Sequence, residues 1–207
     1  MGAAERTIRR QDKRRDTMDL SIVLERCRGG DELAWEVLVR QFQGRIYGVA
    51  YHYVGNAEDA RDLAQESFIR LYQNLALCPD EKGFLPWLIR ITRNACIDHL
   101  RRRSARPPSQ DIAADEMLDL RSSAIDPEQS YEADSRKQLI YKALKEMTEI
   151  NREIILLKDI QGLALEEIAS MLHVPLGTVK SRSNRARIEL AQRLALLAGD
   201  LAGGGVV

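Results

Sequence analysis

The spacing of residues between Leu165 and Leu194 constrains the fold of this sequence more than any other feature. Apolar side chains first recur on one helical face, at Leu165, Ile168, Ala169 and Leu172. A second stripe follows Pro175, which suits the start of a helix, at Val179, Ser183, Ala186, Leu190 and Leu194. A small residue at 169, a turn at 173–175 and an apolar residue at 179 have the spacing of a helix-turn-helix, whose two helices approach closely.

The turn and the exposed face of this element carry further predictions. The turn residue usually takes a positive φ and is often glycine; His173 stands there, and His is enriched among the other residues that adopt this conformation. Opposite the packed stripe, the second helix presents cations for phosphates and short polar groups for base edges, at Lys180, Ser181, Asn184, Arg185 and Arg187. This face favours binding in a major groove, with a solvated basic surface as the alternative.

An acidic stripe lies on a helix predicted between Asp59 and Leu75. From about Leu20 to Arg103 apolar residues recur at helical spacing, with breaks at Gly29-Gly30, Gly55-Asn56 and Pro79 to Gly83. The helix is predicted to bury Ala60, Leu63, Ala64, Ser67, Phe68, Leu71 and Leu75, and its neighbouring stripe carries Asp59, Asp62 and Glu66. Carboxylates suit Mg²⁺ in a nuclease, but no His, Lys or nucleophile is spaced to complete such chemistry. We therefore predict no catalytic residue and no enzyme, and a solvated charged face is the alternative.

A basic helix is predicted to begin near Phe84 and Pro86 and to continue through Arg103. Its expected buried residues are Leu88, Ile91, Ala95 and Leu100, and its opposite face carries Arg90, Arg93, Asn94, Ile97 and Arg101. Phe84 and Trp87 lie at its start, where aromatic rings beside cations suit the stacking of an unpaired base. A core position for Trp87 is the alternative.

The formal net charge of zero hides a strong asymmetry along the chain. Residues 90–106 are basic, whereas residues 107–135 combine an excess of Asp and Glu with Pro and Ser and have no apolar stripe. The sequence therefore predicts an all-α protein of two small helical domains, residues 18–105 and 136–197, joined by a flexible acidic linker, residues 106–135. A basic N-terminal tail, residues 1–17, is expected to be disordered and residues 198–207 to form a flexible tail.

Composition also excludes several classes of protein. No apolar run reaches the length of a membrane span, and none follows the N-terminal arginines as in a secretory signal. The cysteines have unrelated spacings, which favours a reducing compartment and a cytoplasmic location. Cys96 and His99 lie one helical turn apart, but no second pair completes a zinc site, so neither a metal nor another cofactor is expected. Without an apolar dimer stripe, no obligate homo-oligomer is expected.

Several motifs taken together resemble one family. They are DARDLAQESF at 59–68, WLIRITRN at 87–94, DHLRRR at 98–103, EEIA at 166–169 and VPLGTVKSR at 174–182. In this order, over nearly all of residues 20 to 195, they resemble the extracytoplasmic-function (ECF) group of sigma-70 factors. The resemblance implies a helical sigma-2-like domain, a flexible linker and a helical sigma-4-like helix-turn-helix domain.

The resemblance also implies partners and places their contacts on the matching residues. Core RNA polymerase, with its beta and beta-prime subunits, is an implied partner, and the coiled-coil clamp of its largest subunit would meet Asp59, Asp62, Leu63, Gln65, Glu66 and Phe68. The minus-ten promoter element would meet Phe84, Trp87, Arg90, Arg93, Asn94 and Arg101. The minus-thirty-five element would meet Thr178, Lys180, Ser181, Arg182, Asn184 and Arg185. The linker would thread the active-centre and RNA-exit path of the polymerase, or act only as a solubilising tether, and an anti-sigma factor is a further implied partner.

Three residues depart from the family's pattern. Ser183 stands where a large apolar residue is usual on the predicted buried stripe, so Ser183→Leu is expected to raise stability by about 1 kcal/mol. Asn184 stands where an aromatic residue or His is common, and Ala164 where Ser or Thr would cap a helix. A stand-alone helix-turn-helix regulator is the alternative to a sigma factor.

Overall fold

A computed structural model of the chain describes residues 19–105 and 138–203. The predicted basic tail, the predicted acidic linker and residues 204–207 lie outside the described residues. The chain divides into two compact units, Met1–Glu116 and Met117–Val207. Within the described ranges every regular element is helical, which confirms the predicted all-α class.

The described part of the first unit is built from the α-helices α1 (Leu20–Arg28), α2 (Glu32–Val54), α3 (Ala57–Gln73) and α4 (Glu81–Ser104), with a short 3-10 helix, Leu75–Leu77, between α3 and α4. Each α-helix follows an Asp or Asn whose side chain accepts a hydrogen bond from a first-turn N–H, namely Asp19, Asp31, Asn56 and Asp80. Such a cap stabilises a helix by about 1 kcal/mol. Helix α2 ends at Gly55, whose φ of 67° gives a left-handed C-cap.

The buried stripe predicted on α3 is confirmed in full. All seven of its residues are buried: Ala60, Leu63, Ala64, Ser67, Phe68 and Leu71 on α3, and Leu75 on the 3-10 helix that follows. The Ser67 hydroxyl donates to the carbonyl oxygen of Leu63 at 2.6 Å, which satisfies this polar group inside the core. Helix α3 packs against both α2 and α4, so its polar residues stand on a rigid support.

Helix α4 differs from its prediction in both its start and its buried face. It begins at Glu81, because the Asp80 carboxylate accepts a hydrogen bond from the N–H of Gly83 and caps the first turn. Its buried residues are Phe84, Leu88, Ile89, Thr92, Ala95 and Cys96. Leu100, predicted to be buried, is exposed, because the helical period places it about 120° around the axis from Leu88. Ile91 is half-buried.

The second unit opens, in its described part, with a helical stretch at residues 138–145, here α5. Helix α6 (Glu149–Ile155) continues as a π-helical turn, Leu156–Ile160. In that turn the N–H of Gln161 donates to the carbonyl oxygen of Leu156 at 2.9 Å. Helices α7 (Leu165–Leu172) and α8 (Leu176–Gly203) follow.

Helices α7 and α8 form the predicted helix-turn-helix. His173 joins them with φ 54° and ψ 44°, the left-handed conformation that the sequence predicted for this position. On α8, Val179, Ser183 and Ala186 are buried as predicted, and Leu190 and Leu194 are half-buried. Ala164 provides no side-chain cap for α7, but its N–H donates to the Glu167 carboxylate at 2.7 Å, which is one half of a capping box.

Helix α8 is longer than predicted. The sequence suggested that order ends near residue 197, whereas the helix continues to Gly203. Residues 191–198 are mostly Ala and Leu, which are strong helix formers, and Leu197 is buried. None of the described helices has the length and apolarity needed to cross a membrane.

Candidate nucleic-acid and partner interfaces

The acidic face of α3, defined here by Asp59, Asp62 and Glu66, is partly neutralised by the neighbouring Arg70 and Arg103. Asp59 lies 3.5 Å from the Nη1 of Arg103 and 3.5 Å from the Nε2 of His99. Glu66 pairs with Arg70, one turn later on α3, at 2.5 Å. Asp62 is exposed. Gln65 is also exposed, so Asp62 and Gln65 are the polar groups of this face that are open to a partner.

The prediction that Leu63 and Phe68 contact the polymerase from the protein surface is wrong. Leu63 and Phe68 are 3% and 8% exposed, because they belong to the stripe of α3 that packs into the core. Their physical role is to hold the acidic face in place.

A cavity of about 270 Å³ lies where α3 and the 3-10 helix meet α4. Its lining residues are Arg70, Asn74, Leu77, Trp87, Ile91 and Asn94. Trp87, Ile91 and Asn94 share one face of α4, and the Trp87 ring is half-buried while the Asn94 amide is exposed. The cavity therefore combines an aromatic face, an amide and a guanidinium, which are the groups that recognise an unstacked base.

The prediction that Phe84 stacks on an unpaired base is wrong. Its ring is fully buried and meets the ring of Phe42 edge-to-face, with centroids 5.0 Å apart. Arg90 and Arg101 are exposed and Arg93 is half-buried on the same helix.

The sequence pattern did not indicate three of the residues that line the cavity. Arg70, Asn74 and Leu77 lie on α3, at its end and on the 3-10 helix, and only the folding of these segments against α4 brings them to Trp87. Asn74 is fixed there by donating from its Nδ2 to the carbonyl oxygen of Arg70 at 2.8 Å. Leu77 is 74% exposed, which is unusual for a leucine at the edge of a cavity.

The exposed face of α8 carries the residues predicted for duplex DNA. Lys180, Ser181, Asn184 and Arg185 are exposed, whereas Thr178 and Arg182 are half-buried. The Ser181 hydroxyl donates to the carbonyl oxygen of Thr178 at 3.0 Å, and the Nη2 of Arg185 lies 3.4 Å from the Ser181 hydroxyl. Four polar side chains thus lie on one side of the helix.

Polar contacts from α6 and its π-helical turn hold α8 in place. Lys158 donates from Nζ to the hydroxyl oxygen of the buried Ser183 at 2.9 Å. Arg187 donates to Asp159, and this hydrogen bond, with the carboxylate charge, raises the pKa of Arg187. Arg187, predicted on the DNA-facing side, therefore has an intramolecular partner.

Glu189 is the third polar contact between these helices. Its carboxylate accepts from the Asn151 side chain and, at 2.9 Å, from the N–H of Thr148, so it caps the start of α6. The Asn151 hydrogen bond is the main cause that lowers the pKa of Glu189, and the Thr148 contacts add to it. Charge-assisted hydrogen bonds of this kind stabilise a helix terminus.

Within residues 19–105 and 138–203, no group of three or more His, Cys, Asp or Glu side chains is arranged to hold a metal ion. Cys27, Cys78 and Cys96 are buried free thiols. Burial raises the pKa of the Cys96 thiol to about 12.

Two family models match the chain, Sigma-70 region 2 over residues 38–106 and Sigma-70, region 4 over residues 137–190. The RNA polymerase sigma-H factor of Pseudomonas aeruginosa is 33% identical over 174 residues, which are 80% of this chain and 88% of that protein. The ECF RNA polymerase sigma-E factor of Escherichia coli K12 is 32% identical over 171 residues, 80% of this chain and 89% of that protein.

Two solved structures have a similar fold. CnrH, in complex with the cytosolic domain of CnrY, matches with a TM-score of 0.59 and 23% identity, covering 87% of this chain and 97% of CnrH. The sigma factor RpoE of Bartonella quintana, in complex with the anti-sigma factor NepR, matches with a TM-score of 0.57 and 23% identity, covering 77% of this chain and 96% of RpoE.

Proposed function

The chain belongs to the ECF group of the sigma-70 family, and we propose that its two units divide promoter recognition between them. It is a sigma factor: it binds core RNA polymerase, directs it to specific promoters and helps to melt the minus-ten region, and its family is not catalytic. The observation that carries the division is the presence of two separate surfaces suited to DNA, the cavity beside α4 and the exposed face of α8. A stand-alone regulator would need only the exposed face of α8.

The acidic face of α3 is the proposed contact with core polymerase. Asp62 and Gln65 are exposed and stand on a helix that is packed on two sides, so they meet a partner without rearrangement. Asp59 and Glu66 would join the contact by exchanging their intramolecular cations for basic residues of the polymerase. Complementary charge of this kind steers association and suppresses wrong partners.

The cavity beside α4 is proposed to receive a base of the opened minus-ten strand. Trp87 supplies a ring for stacking, Asn94 an amide for the base edge, and Arg70 a cation for the backbone. Leu77 at the rim would act as an apolar edge that separates neighbouring bases. Three other arginines of α4, Arg90, Arg93 and Arg101, would contact phosphates.

The exposed face of α8 is proposed to lie in the major groove of the minus-thirty-five element. Lys180 and Arg185 would contact phosphates and bases. Thr178, Ser181 and Asn184 would contact base edges. The half-buried Arg182 would contact the DNA backbone at the edge of the interface. In other proteins with a helix-turn-helix the start of the second helix faces the groove, and the start of α8 would do the same here.

An anti-sigma protein is the proposed regulatory partner. RpoE of Bartonella quintana was solved with the anti-sigma factor NepR, and CnrH with the cytosolic domain of CnrY. A protein that covers the acidic face of α3 or the basic face of α8 would block polymerase or promoter binding. The proposal is tested by co-purification of the chain with its natural inhibitor.

Run-off transcription with purified core polymerase tests the main proposal. The chain should start transcription at promoters selected from random-sequence DNA by the reconstituted holoenzyme. Asp62→Arg should weaken core binding by at least about tenfold, because like charges would then face each other. Glu25→Arg, which reverses an exposed carboxylate on α1, is the matched control and should bind core normally. A chain that binds duplex DNA tightly alone and never initiates transcription with core would refute the proposal.

A further inference from the structure

We propose that Arg28, the last residue of α1, is a positioning residue for the cavity beside α4. From Nη2 its guanidinium donates to the carbonyl oxygen of Cys78 at 2.8 Å and to that of Pro79 at 3.3 Å, across sequence separations of 50 and 51 residues. Helix α1 contributes no residue to the cavity lining. The inference rests on the proposed minus-ten role of the cavity and adds a residue that controls its shape.

The two carbonyls belong to the short link that joins the two walls of the cavity. Leu77, on one wall, immediately precedes Cys78, and Asp80, the cap of α4, immediately follows Pro79. Helix α4 then carries Trp87, Ile91 and Asn94 on the opposite wall. A group that holds Cys78 and Pro79 therefore constrains the position of Leu77 relative to the start of α4.

The link formed by Cys78 and Pro79 also packs closely against α4. A Cβ placed on Gly83 would lie 2.8 Å from the Cβ of Pro79, so the proline packs directly on the backbone of α4. The Cys78 side chain is buried beneath the link. Arg28 supplies the donors that the two outward carbonyls would otherwise take from water, and a guanidinium suits this because its planar donors reach two acceptors at once.

Loss of the Arg28 guanidinium should loosen the link without unfolding the unit. The core residues Phe84 and Leu88 do not depend on it, since both are fully buried in contact with the rest of the unit. The acidic face of α3 lies on a different segment. We therefore expect weaker binding of the minus-ten strand together with unchanged binding of core polymerase, a separation that a general loss of structure would not produce.

The test uses the reconstituted holoenzyme and a fluorescent single-stranded oligonucleotide that carries the non-template minus-ten sequence of a promoter selected by that holoenzyme. Arg28→Met keeps the aliphatic stem and removes the donors, and should weaken oligonucleotide binding by about fivefold, roughly the net contribution of one ordinary hydrogen bond. Arg28→Lys restores a cationic donor and should recover most of the affinity. Arg26→Ala, on the same helix, removes a cation that pairs with Asp31 and not with the link, and should bind as wild type.

The outcomes separate this inference from the proposed function. If the wild-type holoenzyme fails to bind the oligonucleotide, the minus-ten role of the cavity is wrong and the inference falls with it. If wild type binds and Arg28→Met binds equally well, only the inference is overturned. It is also overturned if Arg28→Met loses core binding in parallel with DNA binding, or if its tryptophan-fluorescence melting midpoint lies below the assay temperature, because Arg28 would then support the whole unit.

Discussion

Replacing Ser183 with leucine should destabilise the second unit by about 1–2 kcal/mol, although the sequence pattern alone predicts a gain. The Ser183 side chain is only 3% exposed, and its hydroxyl accepts the 2.9 Å hydrogen bond from the Lys158 ammonium. Leucine would bury additional carbon atoms, worth about 2 kcal/mol in apolar transfer. Two losses oppose this gain. Removing a hydrogen bond to a charged group costs about 1.5–3 kcal/mol of stability, and inserting volume into a packed site costs about 1–3 kcal/mol.

A second substitution isolates the role of the hydrogen bond. In the double variant Lys158→Met with Ser183→Leu, no ammonium is left without an acceptor, so the stability should recover relative to Ser183→Leu alone. The two substitutions should therefore be non-additive by about 1 kcal/mol, within the range seen for directly contacting residues.

Differential scanning calorimetry of the full chain measures this effect. For units of this size, about 1 kcal/mol shifts the melting temperature by roughly 4–8 °C. Both tryptophans, Trp35 and Trp87, lie in the first unit, so fluorescence melting reports on that unit and should not change. A raised melting temperature for Ser183→Leu, or additivity of the two substitutions within roughly 0.5 kcal/mol, would refute the reasoning.

Further predictions concern DNA binding, acid stability and thiol reactivity. Lys180→Ala should reduce the salt dependence of holoenzyme binding to promoter DNA by about one unit of log–log slope, and Lys142→Ala, on α5, should leave it unchanged. The lowered pKa of Glu189 means that its stabilisation is complete above its ordinary value of 4.5 and is lost as the pH falls through the lower folded value. Calorimetry between about pH 3 and 6 should therefore show a smaller loss of stability for Glu189→Gln than for wild type. Because the pKa of Cys96 is raised to about 12, iodoacetamide at about pH 8 should label this thiol only after denaturation, as measured by mass spectrometry.

The local periodicity of apolar residues was sufficient to predict helix faces and turns, because these features depend only on residues that are close in sequence. The six buried residues of α3 follow one helical stripe, and the left-handed turn at His173 follows from the spacing on both sides of it. These features need no knowledge of distant segments, because a helix face and a tight turn are defined within a few residues.

The cavity could not be predicted in the same way, because its walls come from separate segments. Arg70 and Leu77 reach Trp87 only through the packing of α3 and the 3-10 helix against α4. The same limit explains Phe84, since the local pattern of aromatic residues beside cations does not reveal that this ring meets Phe42. Leu63 shows a different limit: a motif that matches a family includes residues of the core as well as residues of the surface.

The π-helical turn at Leu156–Ile160 has a consequence for how the second unit tolerates changes in chain length. A π-helical turn holds one residue more than an α-helix with the same hydrogen-bonded ends, so deletion of a single residue here would leave a continuous α-helix. The deletion would shift the residues within the turn by one position, about 100° around the helix axis, and so carry Lys158 and Asp159 away from Ser183 and Arg187. A relative that lacks one residue at this point would have to hold the helix equivalent to α8 by other contacts, and an alignment gap here would mark that change.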